Sequence, residues 1–171
     1  MAIYKQVADL LNEQINKELY SAYLYVAIAD HFEDRGLAGF AHWYMIQAAE
    51  EIDHAMIIRR FLVDNEHRPE LELIEKPVGF FESDMAALRA ALEHEEYVTR
   101  SIHRIYSVAQ DASDYLSMQM LEWFIEEQGE EETSARDMVR NLELFGGDRG
   151  GLYKLDREYA GRSRGVPDVA L

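Results

Sequence analysis

Glutamate recurs in this chain where a packed helix should carry an apolar side chain. Glu18, Glu51 and Glu95, with the amide Gln128, each sit in the apolar stripe of a long helical stretch. His54 follows Glu51 by three residues, and Glu131 follows Gln128 by three. On a helix that spacing brings two side chains over one spot. An isolated buried carboxylate costs on the order of several kcal/mol. Several at one level would repel one another and take up protons. Two multivalent cations remove the conflict by neutralising the charge. Carboxylate with imidazole suits iron, whereas a pure oxygen set would lean towards calcium or magnesium. Taken singly, such a Glu reads as a boundary residue facing water. Coincidence on four helices is what points to a di-iron site. The other histidines, His31, His42, His67, His94 and His103, receive no role.

These ligands need long, aligned helices. Leu11, Glu18, Ala22, Tyr25, Ala29 and Phe32 recur at helical spacing in a first helix from about Tyr4 to Asp34, closed by Gly36. Phe40, Tyr44, Gln47, Glu51, His54, Ile58 and Phe61 mark a second, from about Leu37 to Asn65. Residues 66–81 carry Pro69, Pro77 and Gly79 without a sustained period. Leu88, Leu92, Glu95, Val98 and Ile102 mark a third helix, from about Glu82 to Gln110. A fourth follows the break at Asp111–Asp114 and runs to about Phe145, where Gly146 and Gly147 end it. A short fifth is expected at Leu152–Ala160, with residues 161–171 as a loose tail. No strand-type alternation competes.

The connections set the topology. Helices of about 28 residues are about 42 Å long, so the short first and third connections make antiparallel pairs. The long second connection, at about 3.3 Å per residue, can cross the length of the bundle. The expected fold is all-α: a four-helix bundle with one long crossover, of the ferritin-like arrangement, in a single domain over residues 1–160. Each candidate ligand lies near its helix midpoint. Midpoints meet at one level whichever way the helices run.

Glu50, Glu127, Glu130 and Glu131 form a second acidic group beside the first. It reads either as a solvated face or as an open site for a third ion. Tyr25 lies two turns after Glu18 and reads either as a core tyrosine or as a partner of a ligand carboxylate. Trp123, one turn before Gln128, reads as packing.

Composition narrows the function classes. The 171 residues are 48% hydrophobic, enough for one sizeable core despite a net charge of -16. With 33 acidic residues against 17 basic ones, nucleic acid and anionic membranes are not expected partners, while cations are. The absence of cysteine excludes disulfides and thiolate metal sites. There is no signal-type apolar segment at the start and no apolar run near the about 18 residues that span a bilayer. A cytoplasmic location is expected.

The stretches Leu11–Glu18 with Tyr20–Ala22 and Tyr25, Ala49–His54, His94–Glu95, Trp123–Glu131 and Gly150–Tyr153 resemble the bacterial non-haem ferritins. The resemblance covers residues 5–160. It implies a 24-subunit shell that stores ferric mineral. It also implies a di-iron ferroxidase centre at Glu18, Glu51, His54, Glu95 and Gln128, with Glu51 bridging. Glu50, Glu127, Glu130 and Glu131 match the third iron site of bacterial members, and Tyr25 the tyrosine beside the centre. The implied partners are Fe(II), dioxygen or hydrogen peroxide, and an external electron donor for release. The haem-containing relatives carry Met where this chain has Ile52, and Glu and His where it has Gln128 and Glu131, so no haem is expected. Gly129 departs from the usual pattern, at about 1 kcal/mol of helix propensity, and would loosen the third site. Asp53 is a candidate for collecting Fe(III). A small-molecule di-iron oxidase and a metal-free acidic bundle are the competing readings.

Overall fold

Five helices account for the regular structure of the computed structural model, which describes residues 3–165 and 167. They are α1 (Lys5–Asp34), α2 (Ala38–Asp64), α3 (Asp84–Asp111), α4 (Tyr115–Phe145) and α5 (Arg149–Tyr159). There is no strand among the described residues. α1 packs along α2 and α3 along α4, α1 also meets α3, and α5 lies across α2 and α4.

Local chemistry sets the helix ends. α1 closes with Leu37 N–H donating to the Phe32 carbonyl and Gly36 N–H to that of Glu33, both at 2.9 Å. Gly36 sits at φ +73°, a left-handed conformation that a Cβ disfavours. Ser83 caps α3 by accepting from Ala86 N–H at 3.1 Å. Asp114 caps α4 through Ser117 N–H at 3.2 Å and also accepts from Tyr4 N–H at 2.9 Å. That second bond puts the start of α1 beside the start of α4, so these two helices run parallel. The start of α3 meets the end of α1 where His31 Nε2 and Asp84 Oδ1 lie 2.9 Å apart. α2 and α3 therefore run the same way, and the connection between them must cross the bundle.

That crossover is tied down along α1. Asn12 exchanges two hydrogen bonds with Glu70, at 3.0 and 2.8 Å, and Asn16 donates to the Leu73 carbonyl at 3.2 Å. Phe81 is buried at its far end, edge-on to His31.

The apolar core falls into two clusters. One, around Phe32, Phe40, Tyr44, Leu88 and Met138, includes Leu155 and Tyr159 of α5. The other, around Leu11, Ile15, Ile58, Ile102, Leu121 and Phe124, fills the opposite half. Side chains from all four long helices interrupt them: Glu18, Gln47, Glu51, His54, Glu95, Gln128 and Glu131 are all buried.

One expected boundary changes. α5 begins at Arg149 rather than Leu152, because Asp148 caps it by accepting from Gly151 N–H at 2.8 Å. That bond offsets the poor helix propensity of Gly150 and Gly151. The described part of the tail lies against α2. Arg162 pairs with Glu50 and Arg164 with Asp53, because opposite charges meet along α2. Val166 and residues 168–171, also expected in that tail, lie outside the described residues.

α5 serves α2 as a cap. No side chain at the N-terminus of α2 caps it, and Asp156 Oδ1 instead accepts from Gly39 N–H at 2.7 Å and Phe40 N–H at 3.1 Å. A Cβ on Gly39 would stand 1.7 Å from the Asp156 carbonyl oxygen, which has no room to yield. Gly39→Ala should therefore lift α5 off, with loss of about 2 kcal/mol of docking. Amide exchange across 149–159 should rise at least tenfold in about that range. Equal protection in variant and parent would show that this contact does not hold α5.

Candidate metal centre

One helical period carries each donor inward. Glu18 faces the axis from α1, Glu51 and His54 from α2, Glu95 from α3, and Gln128 and Glu131 from α4. Glu18, Glu51 and His54 bring one ligand atom each within 4.8 Å of one another. Glu51, Glu95 and Glu131 do the same, so Glu51 belongs to both groups. His54, Glu127 and Glu131 make a third group on the same criterion, which leads outward because Glu127 is only half-buried.

Hydrogen bonds aim these groups. Gln14 Nε2 donates to Glu18 Oε1 at 2.9 Å, and Ser101 Oγ holds the Gln14 carbonyl at 2.6 Å. Gln47 Nε2 donates to Glu51 Oε1 at 3.3 Å and also to Glu131. Tyr25 donates its phenolic proton to Glu95. Gln128 Nε2 donates to Glu95 Oε2 at 3.1 Å and to Thr99 Oγ1 at 3.3 Å. His54 Nδ1 lies 3.5 Å from Glu51 Oε2, and the edges of Trp123 and Phe124 flank its ring. Glu18 Oε2 is buried with no partner. An unpaired buried oxygen beside a second carboxylate and an imidazole fits a cation, as does the donor chemistry.

Burial dominates the electrostatics. It pushes the carboxyls of Glu18, Glu51, Glu95 and Glu131 above the ordinary carboxylate range, and neighbouring carboxylates push Glu18, Glu51 and Glu131 further. Burial likewise raises Tyr25 and Tyr44, so both phenols keep their protons. His94, adjoining the centre in sequence, is lowered to about 4 by burial and shares a 2.7 Å hydrogen bond with Ser21 Oγ.

The expected residues divide. Glu18, Glu51, His54, Glu95, Gln128 and Tyr25 come together at one level. Of the expected outer group, Glu127 joins it through His54, and Glu131 is buried among the inner carboxylates. Glu130 is exposed, and neither it nor Glu50 belongs to the three donor groups found among the described residues. Glu50 faces Arg162 instead. Asp53, considered as a collector of Fe(III), is paired with Arg164. Gly129 is exposed and α4 runs through it unbroken. Sequence reasoning missed Gln14, Gln47 and Arg162. The signal for the two glutamines was present: each precedes a ligand Glu by four residues on the buried stripe.

The sequence model of the Ferritin-like domain family matches residues 8–145. The chain belongs to the ferritin family. It is 34% identical over 153 residues to the bacterial non-heme ferritin of Campylobacter jejuni, covering 90% of this chain and 92% of that protein. It superposes with a TM-score of 0.92 and 39% identity on the open-pore ferritin of Archaeoglobus fulgidus, covering 95% of this chain and all of the other. A closed form engineered from that ferritin gives a TM-score of 0.93 at 38% identity, covering 96% and 100%. Family and fold support iron storage for this ferritin. No helix among the described residues is long and apolar enough to cross a membrane.

Protons and cations compete for the centre, and the sign of the pH effect follows. A folded chain with raised carboxyls holds protons that the unfolded chain releases above about pH 4.3. That stabilisation is complete below the ordinary carboxylate pKa and is lost as pH rises through the raised folded values. Metal-free ferritin should therefore melt at lower temperature as pH rises from about 5 to about 8. Glu95→Gln should flatten the slope. Zn(II) at about 100 times its dissociation constant should restore about 2.7 kcal/mol at neutral pH. Calorimetry checks all three, the first two in chelator and the third after the chelator is removed, and a melting temperature that climbs with pH would contradict the account.

Proposed function

We propose that this ferritin is a ferroxidase: it oxidises Fe(II) to Fe(III) within the single subunit and stores the product as ferric mineral in a 24-subunit shell. The observation that carries the reading is Glu51, which lies in two buried donor groups at once. Glu18, Glu51 and His54 would hold one ferrous ion. Glu51 and Glu95 would hold the second, with Glu131 and the carbonyl of Gln128 as the donors from α4. The unpaired Glu18 Oε2 supports this, since a cation supplies the partner that the protein does not.

The oxidation takes one electron from each ion. Two ferrous ions and two protons convert dioxygen to hydrogen peroxide, or hydrogen peroxide to two waters. Hard oxygen donors favour Fe(III) over Fe(II), which supplies the thermodynamic drive. The protein's own groups position and balance. Gln14 and Gln47 fix the carboxylates of Glu18 and Glu51. Tyr25 and Gln128 do the same for Glu95. A carboxyl that holds a proton gives it up as the ferrous ion enters. The group of His54, Glu127 and Glu131 then offers a third site and a way towards Glu130 at the surface.

Assembly into the shell, a cytoplasmic location and release of stored iron by an external electron donor complete the proposal. No haem is required by any step.

The double variant Glu51→Ala, His54→Ala removes the shared ligand and the only imidazole among those donors. The initial rate of ferric absorbance after adding Fe(II) in air should fall by at least about 100-fold, about 2.7 kcal/mol of barrier. Far-ultraviolet circular dichroism should stay within a few per cent of the parent, because two apolar core clusters remain. Parent-like rates in a folded variant would remove the centre.

A further inference from the structure

Arg162 is the one basic side chain that reaches the edge of the metal centre among the described ion pairs and hydrogen bonds. Its guanidinium lies over the Trp43 ring, 4.1 Å from the centroid. Nη1 donates to Gln47 Oε1 at 2.7 Å and to the Trp43 carbonyl at 3.3 Å, while Nη2 pairs with Glu50 Oε2. Gly165 N–H donates to the other Glu50 oxygen at 2.9 Å. Both oxygens of Glu50 are thus taken by one short segment. The contact is sheltered: the Arg162 side chain is 17% exposed and that of Glu50 12%. His42 Nε2, 2.9 Å from the Arg162 carbonyl, and Arg164 on Asp53 anchor the segment on either side.

We infer that residues 162–165 form an arm that occupies the third metal site with its own cation, so that a metal ion reaches Glu50 only by displacing Arg162. A guanidinium and a multivalent ion seek the same carboxylate, and the two cannot share it. With the arm in place Glu50 points at arginine and is missing from the donor groups, while Glu127 and Glu131 remain within reach of His54. Arg162 also reaches the inner centre through one amide. Its hold on the Gln47 carbonyl leaves the Gln47 NH₂ turned to Glu51 and Glu131. Arg162 would then set the affinity for the third ion without contacting the first two. The inference rests on the proposed third site.

The test uses the full chain, metal-free, titrated with Zn(II), which binds without redox change. In calorimetry the parent should take two ions per subunit tightly and a third weakly. Arg162→Gln should tighten the third about tenfold and leave the first two within twofold. Arg162→Lys keeps the charge but loses the fork, and should fall between. Amide exchange of the peptide holding Gly165 should speed up when the parent is loaded to three ions and stay unchanged when loaded to two. A third ion bound equally by parent and Arg162→Gln, or an arm whose exchange ignores loading, overturns the competition while keeping the third site. Two ions only in every variant overturns the third site and the competition together.

Discussion

Four carboxyls buried at one level of a helical bundle are the constraint from which the rest of the structure follows. Glu18, Glu51, Glu95 and Glu131 are each less than one-tenth exposed. As bare anions they would be untenable in a medium of low polarity. Either protons or cations must accompany them, and burial raises the pKa of all four, the direction that favours protons when no metal is present. On the proposed reading, iron affinity is thus linked to proton release. An entering ion must displace protons, and what it gains in return is a set of oxygens already aimed at it.

The bundle tolerates this layer because it is built on both sides of it. The two apolar clusters lie at opposite ends, each drawing on all four long helices. Either cluster keeps the helices in register, and the polar level is suspended between them. Within that level the carboxylates do not rely on the metal for their orientation. Gln14, Gln47, Tyr25 and Gln128 brace all four carboxylates by hydrogen bonds that exist without an ion. Preorganisation of this kind lowers the cost of binding, since little ordering is left to do when the ion arrives.

Much of this was legible in the sequence, for a physical reason. A ligand in a helix must share the face that packs, so it stands out as a polar residue on an apolar stripe, and the midpoint rule then fixes its level. Glu18, Glu51, His54, Glu95 and Gln128 are visible on those grounds, as is the crossover, whose prolines break the helical period. What was not legible depends on contacts distant in sequence. Glu131 stands out by its spacing from Gln128, but its place beside Glu51 and Glu95 rather than in an outer group shows only in the folded chain. Glu50 reads either as a solvated residue or as a third-site ligand, and its pairing with Arg162, more than a hundred residues away, shows only in the folded chain. The cap on α2 comes from Asp156, on a different helix, and no local pattern announces it.

Charge balance gives the site a direction. On the proposed reading, two ferrous ions bring four positive charges to the four ionised carboxylates, Glu18, Glu51, Glu95 and Glu131, and the sum is neutral. Oxidation adds two more charges in a place where excess charge is expensive. Relief comes from anions drawn in from water or from an ion moving out. The nearest uncommitted negative charge lies along α4, where Glu127 is half-buried and Glu130 is exposed, so exposure rises outward from the centre. A ferric ion moving that way trades a dry site for a wetter one and keeps carboxylate neighbours throughout. The braces act against the reverse step. Tyr25, Gln47 and Gln128 hold their carboxylates ready for the next ferrous pair, so the emptied site need not reorganise before it refills.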